Sequence, residues 1–135
     1  MLQQLDSHPL QAYLTDRMQL FDIIEEVIGQ IGPVSLVITT FSTSEEFLRH
    51  IYRLRRSGLI RHATMVADLK ASNHSKVALM SSGDGHRVAI VTSQNQTRGN
   101  RHEAGVVTTD RVVFGALQTA VDSLIKNSYK IDGDR

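Results

Sequence analysis

The sequence predicts an α/β domain in which a mixed β-sheet is covered by helices. Three observations lead to this fold class: β-branched runs alternate with segments of helical periodicity, a glycine-rich turn joins two short strands, and an amphipathic helix closes the chain. The length of 135 residues and the 41% hydrophobic content suit one domain with its own core. We expect an N-terminal extension at residues 1–17, the domain at 18–127 and a polar tail at 128–135.

The first predicted helix and strand follow each other directly. Apolar residues between positions 18 and 30 recur at i, i+3, i+4 and i+7, which is the spacing of a helix that faces a core. Gly32 and Pro33 predict the end of this helix. Residues 34–40 (VSLVITT) form a nearly continuous β-branched run, which is typical of a strand buried on both faces.

A second helix and strand come next. Residues 42–44 offer an N-cap, and Glu45 and Glu46 stand in the first turn, where the helix dipole favours acidic side chains. The apolar spacing predicts that this helix ends at Gly58. Residues 63–69 (ATMVADL) then have the composition of a strand.

The remaining elements are a hairpin, a strand and a helix. Two short apolar runs around residues 77–79 and 88–90 flank the turn 82–85 (SGDG), which predicts a β-hairpin. Residues 103–109 (EAGVVTT) indicate another strand. Asp110 is the predicted N-cap of the last amphipathic helix.

The net charge of +1 conceals a strong separation of charge along the chain. Residues 1–30 carry a net charge of −4, residues 31–48 one of −2, residues 49–101 one of +8 and residues 102–135 one of −1. A basic block of this size attracts polyanions such as nucleic acids. The alternative is that arginines of the run 49–61 form a solvated helix face and pair with the acidic N-terminal helix.

Several function classes are excluded by what the sequence lacks. Without cysteine the chain has no disulfide, thiolate zinc site, iron–sulfur cluster or cysteine nucleophile. The histidines show no HxxxH or HExxH spacing, and no GxGxxG or GxxxxGK[ST] loop occurs, so we expect neither metal nor cofactor. No run of 18 apolar residues exists and the polar start is unlike a signal peptide, so we expect a cytoplasmic protein without a membrane partner.

One group of residues suggests phosphate chemistry. His74 and Lys76 are two residues apart, so on a strand both side chains point to the same face and can address one phosphate. Ser93 and Asn95 repeat this spacing after the hairpin. Glu103 opens the next strand, where its carboxylate can hold the tautomer of the imidazole.

The plainer interpretation gives these residues no common task. His74 and Lys76 would then sit at the start of a strand, Ser93 and Asn95 would belong to a turn, and Glu103 would pair with a neighbouring arginine.

These residues resemble the HKD signature of the phospholipase D superfamily. His74-Ser75-Lys76, then TSQN at 92–95 and NRHE at 100–103, follow its order of HxK, GSxN and a downstream Glu. The segment from residue 21 to 54 is similar to the first half of a phospholipase D-like nuclease domain.

Two positions depart from the signature. Ser81 stands where the signature has Asp, while Asp84 is displaced into the turn. Thr92 replaces the glycine before Ser93, and we expect it to crowd the site slightly. Neither change removes a reacting group.

The resemblance implies a metal-independent phosphodiesterase that forms a phosphohistidine. The chain holds one HxK where a full site needs two, so we expect a homodimer in which His74 of each subunit supplies nucleophile and general acid. Lys76 and Asn95 would bind phosphate, Ser93 would donate to an oxygen and Glu103 would orient His74. The basic middle segment favours DNA as the substrate. The alternatives are a non-catalytic dimeric nucleic-acid-binding module and a hydrolase of phospholipids or small phosphodiesters.

Overall fold

A seven-stranded mixed sheet and three helices make up the part of the chain that the computed structural model describes, namely residues 1–40, 44–67, 76–93, 102–127 and 129–132. In chain order they are β1 (Leu10–Thr15), α1 (Leu20–Ile31), β2 (Val34–Thr40), α2 (Glu45–Arg56), β3 (Ile60–Ala67), β4 (Val77–Ser82), β5 (Arg87–Thr92), β6 (Glu103–Thr108), α3 (Arg111–Asn127) and β7 (Tyr129–Asp132). The strand order is β1-β6-β5-β4-β2-β3-β7, with β2 and β3 parallel and the other neighbours antiparallel. The predicted α/β class is confirmed.

The two faces of the sheet are covered by different helices. α1 and α2 pack on one face, hereafter the α1/α2 face, where Leu36, Met80 and Val88 join the larger core cluster. α3 packs on the opposite α3 face, where Phe114 and Val121 contact the smaller cluster. β4 lies in the middle of the sheet. Its side chains alternate between the two covered faces, so residues 77–80 are apolar and buried on both.

α1 has the core-facing stripe that its sequence predicts. Gly32 ends the helix with a φ of 85°, which glycine adopts without the steric cost of a Cβ, and its N–H donates to the Ile28 carbonyl at 2.8 Å. All the apolar positions of the predicted stripe are buried: Leu20, Ile23, Ile24, Val27, Ile28 and Ile31.

α2 begins at the predicted cap and packs on α1 and β3. The Ser44 hydroxyl accepts a hydrogen bond from the Phe47 N–H at 3.1 Å, which satisfies a donor that the first turn leaves free. Phe47, Ile51 and Leu54 form the buried face. The helix therefore covers the α1/α2 face beside α1.

Arginines of α2 pair with acidic groups, as the alternative interpretation of the basic run expects. Arg53 reaches Glu25 of α1 at 2.7 Å, and Arg49 pairs with Glu45 of its own helix at 2.8 Å. Both pairs are exposed, so screening by solvent keeps their contribution to stability small. Part of the positive charge of residues 49–61 is therefore balanced locally.

α3 begins after its predicted cap, and β3 begins earlier than predicted. Asp110 caps α3, since its Oδ1 accepts from the Val113 N–H at 2.9 Å. β3 runs from Ile60 to Ala67, so it begins three residues before the predicted start at residue 63. None of the described helices is long and apolar enough to cross a membrane.

The two chain ends differ from the expectation of an extension and a polar tail. Leu10–Thr15, within the expected extension at 1–17, pair with β6, and Tyr129–Asp132, within the expected tail at 128–135, pair with β3. Both segments form the edges of the sheet. Apolar periodicity did not predict β1, because Tyr13 is its one buried side chain and backbone hydrogen bonds to β6 hold the strand in place.

The hairpin turn between β4 and β5 is held by an Asp84-centred cluster. The carboxylate of Asp84 accepts from the Ser82 hydroxyl and lies 2.8 Å from Nδ1 of His86. These two hydrogen bonds, the one from Ser82 first, lower the pKa of Asp84 from 3.8 to about 2.

We expect this turn to lose stability in acid. A carboxylate whose pKa is lower in the folded state stabilises the fold above its unfolded pKa and stops doing so once it is protonated. The thermal midpoint of the protein should therefore fall between about pH 4 and pH 2, and less steeply in Asp84→Asn. Ser82→Ala, which removes one donor, should give an intermediate slope in the same melting series. Equal slopes in all three proteins would contradict the assignment.

Candidate active site

The ends of three neighbouring strands bring Lys76, Ser93 and Glu103 to one end of the sheet. Lys76 directly precedes β4, and its carbonyl accepts from the Thr92 N–H at the end of β5 at 3.0 Å. Ser93 follows β5, and its N–H donates to the Ala104 carbonyl at the start of β6 at 2.9 Å. The convergence expected from the sequence is thus present for these three residues.

The other two predicted site residues, His74 and Asn95, lie outside the described residues. His74 is two residues from Lys76 along the chain, and Asn95 is two residues from Ser93. Their roles remain those that the resemblance implies.

Glu103 is held by Ser93. The Ser93 hydroxyl donates to Oε2 of Glu103 at 2.5 Å, and its Oγ accepts from the Ala104 N–H at 3.1 Å. A hydroxyl bound to a carboxylate makes a short, charge-assisted hydrogen bond. The hydroxyl that we expected to address a phosphate oxygen is therefore directed to the carboxylate expected to orient His74.

Thr92, which stands where the signature has glycine, makes two side-chain hydrogen bonds beside the cluster. It is buried on the α1/α2 face, where its Oγ1 accepts from the Tyr13 hydroxyl at 3.0 Å and donates to the Ala104 carbonyl at 3.3 Å. The side chain of Thr92 thus links β5 to Tyr13 of β1 and to Ala104 of β6.

Tyr13 is a residue of this region that sequence analysis did not single out. Its ring lies directly over Gly105, its neighbour on β6, where an added Cβ would come within 2.4 Å of the ring. Burial raises the pKa of its phenol, the hydrogen bond with Thr92 lowers it, and the nearby charge of Glu103 raises it. No local pattern marks Tyr13, because its proximity to Gly105 depends on the register of β1 and β6.

The close approach at Gly105 predicts a large cost for a single methyl group. Gly105→Ala should destabilise the protein by about 1–3 kcal/mol, because the ring of Tyr13 must move out of its buried position. Gly29→Ala in α1 is the matched control, since a Cβ there meets nothing within 4 Å and alanine should stabilise the helix by about 0.5–1 kcal/mol. Urea denaturation of both variants measures the difference. A neutral Gly105→Ala would show that the ring does not occupy this position.

Asp84 and His102 lie outside this cluster. Asp84 is in the turn at the opposite end of β4, so it does not stand in for the signature Asp at Ser81. His102 is exposed, with its Nε2 3.8 Å from Asp16. Among the described residues, no three acidic or histidine side chains gather as a metal site.

An exposed apolar surface adjoins the cluster on the α3 face. It consists of alternate side chains of the neighbouring strands β1, β6 and β5. Val106 of β6 is paired with Ala12 of β1 on one side and with Val91 of β5 on the other. Leu10 and Leu14 are each 70% exposed. We call this the β1/β6 surface, and its members are Leu10, Ala12, Leu14, Val91, Ala104 and Val106.

The fold of this α/β domain is shared with a solved structure. Among solved structures the chain is similar to NucT from Helicobacter pylori, with a TM-score of 0.59 and 15% sequence identity over 90% of this chain and 99% of that chain. At this level of identity the similarity concerns the fold. No family model and no curated protein matches the sequence.

Proposed function

We propose that this protein is a metal-independent phosphodiesterase that cleaves DNA through a phosphohistidine. The observation that carries the proposal is the convergence of Lys76, Ser93 and Glu103 in a fold shared with NucT, a nuclease of the phospholipase D superfamily. The sequence pattern predicts that these residues act together, and their meeting at one end of the sheet supports the proposal.

In the proposed reaction His74 attacks phosphorus and the bond to the leaving oxygen breaks. The partner subunit's His74 gives its proton to the leaving alkoxide and then takes a proton from water. The resulting hydroxide displaces His74, so the phosphate is released and both imidazoles return to their starting states. Lys76 and Asn95 stabilise the charge on the non-bridging oxygens.

Glu103 has a defined part in this scheme. A carboxylate that accepts from one ring nitrogen fixes the tautomer, so that the other nitrogen carries the lone pair for attack. The hydrogen bond from Ser93 restrains the carboxylate from a second direction. The described part of the site thus contributes one phosphate-binding cation and one restrained acceptor.

The choice of DNA rests on charge. Residues 49–101 carry a net charge of +8 and include Lys76, while aromatic residues are 5% of the chain and Trp is absent. Binding should therefore depend on phosphate contacts more than on base stacking, with little sequence selectivity. Arg49 and Arg53 pair with glutamates, so less of this positive charge is available to bind phosphates.

A homodimer completes the proposed site, and the β1/β6 surface supports it. The sequence has one HxK, and a two-fold axis places the same surface of both copies against each other. The β1/β6 surface is apolar, exposed and continuous with Glu103 through Ala104. Its burial between two copies would place Ala104, the residue after Glu103, in the interface.

Supercoiled plasmid incubated with the protein in excess EDTA tests the function. We expect nicked and linear DNA to appear, and to appear at the same rate when Mg²⁺ is added. Salt-dependent DNA binding without any cleavage would replace the proposal by the non-catalytic binding module, which the departures at Ser81 and Thr92 favour. Cleavage of a chromogenic phosphodiester but not of DNA would point to a small-molecule substrate.

A further inference from the structure

We propose that Tyr13 is a positioning residue for the candidate site: it acts through Thr92 and the Ala104 peptide to hold Glu103. The expected effect on catalysis rests on the proposed function. The expected effect on the structure rests only on the geometry of β1, β6 and β5. It also gives a reason why this chain has threonine where the resembled signature has glycine.

Tyr13 reaches the site end of the sheet by crossing a whole strand. It belongs to the edge strand β1, and its ring passes over Gly105 of β6 to meet Thr92 on β5. Since Gly105 is the residue opposite both Tyr13 and Thr92, any larger side chain there would stop the ring. Tyr13, Gly105 and Thr92 therefore form one packing unit across three strands.

A continuous path of hydrogen bonds leads from this unit to Glu103. The Tyr13 hydroxyl donates to Thr92, and Thr92 donates to the Ala104 carbonyl. The N–H of Ala104 donates to Oγ of Ser93, which in turn donates to Glu103. Hydrogen bonds thus hold Ala104 at both its N–H and its C=O. Ala104 directly follows Glu103, so these bonds restrain the backbone that carries the Glu103 carboxylate.

Thr92 gives this unit a side-chain hydrogen bond that glycine could not provide. Glycine at position 92 has no hydroxyl for Tyr13 and leaves the backbone of this strand end less restricted. The buried Tyr13 hydroxyl would then lose its hydrogen bond to position 92, and losing a buried hydrogen bond is costly. In this chain, restoring the glycine of the signature should therefore impair the site and not improve it.

Steady-state cleavage of a fluorogenic DNA oligonucleotide in EDTA tests the catalytic consequence. Thr92→Gly and Tyr13→Phe should each lower kcat about tenfold while KM stays within about twofold, because Glu103 is misdirected and DNA still binds. Thr92→Ser keeps the hydroxyl and should retain most of the wild-type kcat. Ala89→Gly, which adds the same backbone freedom three residues earlier in β5 and outside the β1/β6 surface, should not lower kcat. An unchanged or higher kcat for Thr92→Gly would overturn the proposal.

Amide hydrogen exchange tests the geometry without any need for activity. In Tyr13→Phe the N–H of Ala104 should exchange about tenfold faster, while that of Ile90 in the centre of β5 should be unaffected. Equal protection of Ala104 in both proteins would refute the positioning role even in an active enzyme. If the wild type cleaves no DNA, the proposed function fails, and the exchange result still decides whether Tyr13 holds this strand end.

Discussion

His74→Ala is expected to lower DNA cleavage by about three orders of magnitude or more, because the variant lacks both the nucleophile and the general acid of the proposed dimer. DNA binding, measured by fluorescence anisotropy, should change little, since Lys76 and the basic segment remain. Plasmid cleavage in excess EDTA, with wild type and variant at equal concentration, measures the loss. Acid-quenched wild type should also carry a phosphoryl group on histidine.

His8→Ala is the matched control for this loss. His8 is exposed in the segment before β1, where its Nδ1 contacts Ser7, and its replacement should leave cleavage unchanged. Wild-type cleavage by His74→Ala would exclude His74 as the nucleophile. Equal losses in both histidine variants would point to a general effect on the fold, which circular dichroism would detect.

Leu14→Glu is expected to convert the dimer into a monomer and to remove nuclease activity with it. Leu14 is 70% exposed in the single chain, so glutamate there should not disturb folding. A two-fold interface doubles each change, and losing one buried leucine from each copy should weaken dimerisation by about a hundredfold or more. Light scattering coupled to size exclusion gives the mass of each species.

A matched control and a mixing experiment sharpen this test. Leu48→Glu places the same charge on an exposed leucine of α2, on the α1/α2 face, and should remain dimeric and active. In the mixing experiment, wild type and His74→Ala are combined in equal amounts and allowed to exchange subunits. The mixture should have roughly one quarter of the activity of wild type at the same total protein concentration, because only dimers in which both copies carry His74 are active. Retention of one half would show that each chain works alone. A dimeric Leu14→Glu would remove the β1/β6 surface as the interface.

Local sequence patterns predicted the elements whose stability is local or whose burial is complete. The β-branched run VSLVITT is the strand β2 at its predicted bounds, since a strand in the middle of a sheet must be apolar on both faces. The predicted stripe of α1 is buried in full, and Asp110 caps α3. These features depend on residues within a few positions of each other.

The features that the sequence did not reveal depend on pairing between distant segments. β1 and β7 are edge strands held by hydrogen bonds to β6 and β3, and Tyr13 is the one buried side chain of β1. Tyr13 and Thr92 are 79 residues apart, and they meet only because β1, β6 and β5 are adjacent in one register. A shift of one residue would place every one of these side chains on the other face.

For the candidate site, the sequence by itself determined which residues are proposed as reacting and binding groups: the HxK at His74 and Lys76, Ser93 and Asn95, and Glu103. The tertiary structure alone decided that the Ser93 hydroxyl points to Glu103, that Thr92 is tied to Tyr13, and that an apolar surface adjoins them. The physical reason is that residue types set which bonds are available. Strand register sets which partners are close enough to form them.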